Sequence, residues 1–413
     1  MHRHFARLTA AAVVVLGSIA AFAGAAPSPA SAAAQPITIA LITSLTGVAA
    51  PEYGDAPAGF RARIALQNAQ GGINGHKIIP LVINDDTSPT TVVTAVQDAI
   101  SKGALGIVSD SALFFAAAKY PQQQGVPVTG NFSDGPEWGT QPYTNMFAAD
   151  DGSVDPKYPV NTGAGLFLKQ HGGTVIGTYG YSISPSSTRS AIGVAKSFNH
   201  AGGKTGVVDT SVPFGGVDFT SAALTAKSKG VNAIWAAMDN GSNLALATSL
   251  KQSGVKLKAV VFPTGYAPGV INSPAWQAIQ GDYFVTEFRP FSVPNAGTLQ
   301  MAAALQKYQQ FKKTDFPDFG QYESWLGADL MIKGIQKAGQ NPSRTAVIKS
   351  LRSIKGYNGN GILPYSINYP TIFGHDLPAY CAWYMQARPS GFVATSSQPL
   401  CGTDLPGSST AQP

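Results

Sequence analysis

From residue 37 onward, short β-branched runs alternate with longer stretches of helical period. Residues 37–42, 77–84, 105–108 and 126–129 read as strands, with helices expected between them over 57–69, 89–102 and 112–123. Strands separated by helices of roughly 10 to 15 residues predict βαβ units and a parallel sheet covered on both faces.

A polar, proline-containing passage at 150–159 interrupts the pattern, and the alternation then starts again. Strands are expected at 174–178, 206–211, 232–236 and 258–262, and helices at 187–200, 219–229 and 243–253. Two separate runs imply two lobes. A third block opens with a strand at 283–287 and continues through helical stretches at 296–313, 321–338 and 342–355 to a Gly/Asn/Pro-rich turn at 356–364. It is too short for a sheet of its own and is expected to complete the first lobe. The expected fold class is α/β, with two doubly wound lobes formed by 35–149 plus 284–362 and by 150–283 plus 363–405. Residues 406–413, poor in apolar side chains, read as a disordered tail.

Residues 1–34 carry His2, Arg3, His4 and Arg7, then an apolar run, then small residues, which is the layout of a secretory signal. A membrane anchor is the competing reading, but the apolar run is barely long enough to span. No cysteine lies in this leader, so a lipid anchor is not expected, and no later run holds 18 apolar residues. The expected location is the periplasm or the extracellular or cell-wall space.

The chain has 28 basic and 22 acidic residues, a formal charge of +6; without Arg3 and Arg7 the count is 26 against 22, or +4. Lysines and arginines are scattered singly without interleaved aromatics, which argues against a nucleic-acid partner. The two cysteines, Cys381 and Cys401, form an even count in an oxidising compartment. They favour one disulfide closing a modest loop, with two free buried thiols as the alternative. No third ligand sits near them, and the six histidines lack metal-ligand spacing, so neither a metal nor another cofactor is expected.

Catalytic chemistry is sparse. Ser111 lies between a strand and an expected helix, but Ser109-Asp-Ser111-Ala-Leu113 lacks the glycines of a nucleophile elbow, and His375 is the only late histidine for a hydrolase. Gly202-Gly203-Lys204-Thr205 resembles the end of a phosphate loop, yet a strand follows where a helix is needed. Asp85-Asp86 sits at a strand end, where a solvated loop or helix cap is commoner than an acid/base pair.

Ile37-Thr-Ile-Ala-Leu-Ile-Thr-Ser-Leu-Thr-Gly47, Tyr53-Gly54-Asp55, Gly71-Gly-Ile-Asn-Gly75 and Asp85-Asp86 occur in an order that resembles type I periplasmic solute-binding proteins. Within them the match is to the Leu/Ile/Val-binding branch that serves ABC importers. It continues through Gln123-to-Val128, Gly135-Pro-Glu-Trp138 and Tyr322-Glu-Ser-Trp325. The resemblance implies two lobes joined by three crossing strands near residues 147–150, 281–286 and 361–364, closing on a small molecule in the cleft between them. It also implies a non-enzymatic monomer that hands a small-molecule ligand to an ABC permease. A sensing module of the same fold, feeding a receptor, is the alternative.

Carried over by position, the family's carboxylate-binding serine falls on Ser111. A helix start there would favour an anion independently. The segment after the fourth strand falls on Phe132, Ser133 and Asp134, with Ser133 alternatively a turn cap. Tyr53 either walls the pocket or packs on the first helix. In the second lobe Tyr181 or Ser184 would point into the cleft. The family's ammonium-binding acid is replaced at its matching place by Thr264, leaving Asp239 or Asp134 to supply the charge. An unpaired buried ammonium would be costly. The resemblance thus implies a carboxylate-bearing solute, an amino acid or a related organic acid or amide.

Overall fold

The computed structural model describes residues 1–2, 34–130, 135, 137–138, 141–150, 159–372 and 381–408. Residues 34–413 form one compact unit and Met1–Ala33 another. The expected leader from residue 3 to residue 33, His375 and residues 409–413 lie outside the described residues.

The first sheet is built from β1 (Ile37–Thr43), β2 (Ile78–Asn84), β3 (Gly106–Asp110), β4 (Val128–Gly130) and β5 (Met146–Ala148), in the order β2-β1-β3-β4-β5. All its neighbours are parallel. Alternate residues of β1 serve opposite faces: Ile39 and Leu41 join one core, while Ala40 and Ile42 join another. That double burial is why the strand reads as one apolar run instead of an alternating one. Between these strands and before the second sheet run α1 (Ala50–Tyr53), α2 (Ala56–Ala69), α3 (Pro89–Ser101) and α4 (Lys119–Gln123).

The motif spacing of this half has a mechanical cause. Gly47 adopts φ +88°, and a Cβ there would stand 2.6 Å from the Asp86 carbonyl oxygen, so only glycine lets the β1 and β2 loops interlock. Thr46 Oγ1 donates to Asp86 Oδ1 at 2.6 Å, and Thr87 Oγ1 donates to the Thr46 carbonyl at 2.7 Å. Asp85 is fully buried and caps no helix; Ser88 caps α3 by accepting from the Thr91 N–H.

One expected element changes. In place of a helix over 112–123, a 3-10 turn at Phe114–Ala116 leads into the short α4. Pro121 explains this: without an N–H it cannot bond the carbonyl of Ala117, so it fits only in the first turn of a helix, which therefore starts near Lys119.

The second sheet comprises β7 (Val175–Tyr181), β8 (Lys204–Val212), β9 (Ala233–Ala237), β10 (Ala259–Phe262), β11 (Tyr283–Thr286), β12 (Cys381–Arg388) and β13 (Gly391–Ala394), in the order β13-β12-β11-β10-β9-β7-β8. β7 to β11 are parallel, and β12 runs antiparallel to β11 and β13. On one face α5 (Gly163–Gln170) and α6 (Pro185–His200) pack against Ile176, Trp235, Val261 and Val285. On the other, α7 (Thr220–Ser228) and α8 (Asn240–Gln252) cover Ile234, Ala236 and Phe262. The short α9 (Pro268–Ile271) follows β10.

The third block packs its helices on the first half. It supplies α10 (Ala296–Tyr308), α11 (Phe319–Lys337) and α12 (Arg344–Arg352), with α11 packed on α2, β3 and β4, and it ends in α13 (Tyr369–Ile372). Two stretches sit differently from the sequence reading. β11 extends the second sheet, so residues 284–286 lie with the second half of the molecule. Tyr369 donates its hydroxyl to the Ala148 carbonyl and packs edge-on against Phe147, so it lies with the first.

The chain's end closes on the second sheet. The Cys381–Cys401 disulfide is formed, joining β12 to β14 (Leu400–Cys401), and β15 (Asp404–Leu405) pairs with β6 (Val160–Asn161). Ser408, expected in a disordered tail, is instead buried and accepts the Val160 N–H at 2.9 Å. Helix α5 escaped the sequence reading because Gly163 and Gly165 weaken it locally. Gly165 is nonetheless required, since a Cβ there would collide with the Ser197 backbone of α6.

Candidate functional site

A cavity of about 310 Å³ opens beyond the C-terminal ends of the strands of both sheets, the usual ligand position in open α/β folds. From the first half it takes Ala49, Glu52, Tyr53, Ala112 and Phe319. From the second it takes the ends of β7, β9, β10 and β11 and one stripe of α6. Five of the nine residues singled out from sequence line it: Tyr53, Tyr181, Ser184, Asp239 and Thr264. Phe132, Ser133 and Asp134 lie outside the described residues.

Tyr181 ends β7 and is almost fully buried. Its hydroxyl donates to Asp239 Oδ2 and lies 2.7 Å from Ser242 Oγ. Burial, then the Asp239 charge beside it, pushes the phenol well above its ordinary range, so it remains a donor. Asp239 is the N-cap of α8: Oδ1 accepts the Ser242 N–H at 3.0 Å, and Oδ2 accepts the Ser242 hydroxyl at 2.8 Å. The carboxylate at the cavity wall is thus held by the helix it caps.

Thr264 hangs from the same corner. Its hydroxyl donates to the Met238 carbonyl at 2.7 Å and accepts from Asn243 Nδ2 at 3.0 Å. Ser184 caps α6 by accepting the Ser187 N–H at 3.2 Å. Tyr53 meets Phe319 edge-on at 6.0 Å, and both belong to an apolar cluster that Phe214 joins from the second half. Phe214 also stands edge-on to Tyr181 at 5.0 Å, so one ring bridges the two sides of the cavity.

Ser111 is buried behind the cavity rather than on its lining, where its neighbour Ala112 lies. Its hydroxyl donates to Asp85 Oδ2 and accepts the Leu113 N–H at 3.3 Å. With α4 starting only at Lys119, no helix begins at this residue. The neighbouring Asp110 carboxyl is held well above the usual carboxylate range by burial; Glu323 bonds to it and lowers it partly, while Asp318 and Asp85 push it further up.

Sequence reasoning missed the charged lining residues Glu52, Arg189 and Glu287. Arg189 is the one Lys or Arg on the lining among the described residues; its Nη2 donates to the Pro159 carbonyl at 3.0 Å. For Arg189 the signal was present, since Ser184-Pro185 marks a helix start and position 189 shares a face with 186 and 193 from there. Trp235 was also missed; its indole N–H donates to Ser190 Oγ at 2.9 Å.

These features belong to a two-lobed α/β binding fold with its site in the cleft. The family model described as periplasmic binding protein matches residues 36–391, and the chain belongs to that family, in the type I branch that includes the branched-chain amino acid binders LivJ and LivK. No curated protein matches the chain. Among solved structures it is similar to LivJ from Streptococcus pneumoniae in complex with isoleucine, at 16% identity and TM-score 0.72, covering 89% of this chain and 99% of that one. It is similar to a solute-binding protein from R. palustris in complex with benzoate, at 14% identity and TM-score 0.70, covering 91% and 99%. It is also similar to a fatty acid transporter substrate-binding protein from Thermomonospora curvata, at 17% identity and TM-score 0.71, covering 90% and 93%. At these identities the likenesses show the fold. The family binds solutes for ABC transporters and is an exported one. Among the described residues no helix is long and apolar enough to cross a membrane.

Proposed function

We propose that this protein captures a small carboxylate-bearing solute in the cavity between its two lobes and presents it to the permease of an ABC importer. The observation that carries the reading is the cavity itself, walled from both sides and bridged by Phe214. Tyr53, Tyr181, Ser184, Asp239 and Thr264 form its wall, with Arg189 also on the lining. Ser111 supports this wall by fixing the backbone at Ala112, and a carboxylate reaches its hydroxyl only by displacing Asp85.

Asp239 is engaged by Tyr181 and Ser242, which favours an organic acid over an amino acid: the acidic group nearest the place of the missing ammonium partner already has its donors. The solved relatives bind isoleucine, benzoate and fatty acid by their descriptions, a range that accommodates this choice. The two lobes are proposed to be residues 34–148 with 287–372 and residues 159–286 with 381–408. The leader is proposed to be removed on export, leaving a monomer.

Native mass spectrometry of the protein taken from its producing cells tests this. The expected result is one bound small acid, recovered chemically unchanged. Recovery of a converted product would point instead to an enzyme.

A further inference from the structure

The cavity is larger than the cleft. Beyond Tyr181 and Thr264 its lining continues between α6 and the face of the second sheet that α6 covers. On the sheet side the lining residues are alternate positions of three strands: Trp235 and Ala237, Val285 and Glu287, Ala382 and Tyr384. Alternation puts each pair on one face of its strand. On the helix side Ser186, Ser190 and Gly193 follow helical spacing, with Val194 beside them. Gly163 and Ala164 of α5 and Leu400 of β14 complete the enclosure.

Helices normally fill the space above a sheet with long side chains. Here α5 and α6 face the gap mainly with small side chains, Gly163, Ala164, Ser186, Ser190 and Gly193, beside Val194 and Arg189, so the gap follows largely from side-chain size. Its larger wall residues Trp235, Val285, Tyr384 and Leu400 are apolar or aromatic, with the charged Glu287 and Arg189 also on the lining. The Trp235 indole is tied to Ser190, which satisfies the donor and fixes the ring against the gap. Tyr384 is fixed by a stacked contact with Phe167, ring centroids 3.5 Å apart. Leu400 is held in place through the Cys381–Cys401 disulfide beside it. Asn161 accepts the Gly163 N–H at 2.7 Å through Oδ1, while its buried Nδ2 finds no partner among the described residues.

We infer that this gap is a second compartment of the binding site, which takes the apolar body of an amphipathic acid whose carboxylate stays in the cleft. The inference rests on the proposed function and deepens it by naming the ligand class. A compact polar solute would leave the compartment empty, whereas an aliphatic or aromatic body would bury its surface against Trp235, Val285 and Tyr384.

Calorimetric titration of the full protein with butanoate, hexanoate and octanoate, and with leucine, tests the inference. Affinity is expected to rise with chain length, by up to about fourfold per methylene while the compartment is filling. Gly193→Leu fills the gap from α6 and is expected to abolish the gain from butanoate to octanoate while leaving butanoate within about threefold of the unmodified protein. Ala164→Phe serves the same purpose if Gly193→Leu does not fold. Affinity independent of chain length, with leucine bound, would overturn the inference and leave the proposed function standing. An octanoate affinity unchanged in the filled variant would overturn it too. Failure of all four solutes to bind would count against the cleft reading itself.

Discussion

Tyr181 donates its hydroxyl to the Asp239 carboxylate, tying the end of β7 to the cap of α8 at the cavity wall. Three further contacts close the same knot: the Asp239 N–H donates back to the Tyr181 oxygen at 3.2 Å, and Ser242 reaches both side chains. Tyr181→Phe removes the central hydroxyl but leaves Asp239 its two Ser242 donors. A stability loss of about 1 to 2 kcal/mol is expected in urea unfolding, together with weaker solute binding. Unchanged stability would mean that the knot is dispensable.

Gly215 stands against Val48, each next to a residue of the cavity lining, Phe214 and Ala49. It adopts φ +72°, and a Cβ there would stand 2.9 Å from Val48 Cγ2. The close approach of the two halves here therefore relies on the missing side chain as well as on the backbone freedom of glycine. Gly215→Ala is expected to cost about 1 kcal/mol of backbone strain and to weaken solute binding roughly tenfold. Adding Val48→Ala should restore part of the affinity, because it removes the clash but not the strain. Calorimetry of the single and double variants checks both effects.

Ser111→Ala leaves Asp85 Oδ2, fully buried, without the serine donor. The expected loss is about 1 to 3 kcal/mol in thermal or urea unfolding, with solute affinity lowered less than tenfold. A large affinity loss at unchanged stability would instead make Ser111 a direct ligand for the solute carboxylate.

Burial raises the carboxyls of Asp318 and Asp282 to about 7. For Asp318 the Asp55 charge adds to burial and the Gln321 N–H opposes it; for Asp282 Lys251 opposes it. A folded-state value above the unfolded value of 3.8 means that the folded protein binds more protons between those limits. Their contribution to stability is therefore greatest at the acidic end of the window, falls as pH rises from about 4 to about 7, and levels off above. Asp318→Asn keeps the α11 cap, since asparagine accepts the Gln321 N–H as well, and should flatten part of this slope. Thermal melts across that range measure it.

The strands and most helices were legible because burial on both sheet faces writes apolar runs, and proline or serine marks the helix starts. The break at 112–123 was legible too, in Pro121, but the apolar run outweighed it. The β6–β15 pair was not, since it joins two-residue strands more than 200 positions apart, with Thr162 bonded to Thr403 beside it, and β12 to β14 were not, since β12 takes its place in the sheet from β11 about 100 positions away. At the site, Tyr181 and Asp239 were legible as strand-end residues. Their bond to each other was not, and neither was the direction of the Ser111 hydroxyl, which Asp85 decides from 26 residues away. The compartment under α6 is written in side-chain size at Gly193 and Ala164, which has no meaning until the helix is laid on its sheet.

The most direct test of the solute-binding claim is a thermal-shift screen of the purified protein against amino acids, aromatic acids and aliphatic acids. A ligand at 100 times its dissociation constant adds about 2.7 kcal/mol to the folded state. The account predicts that at least one carboxylate raises the melting temperature saturably, and that Gly215→Ala shifts the saturation to higher concentration. No stabilisation by any acid in the panel would contradict it.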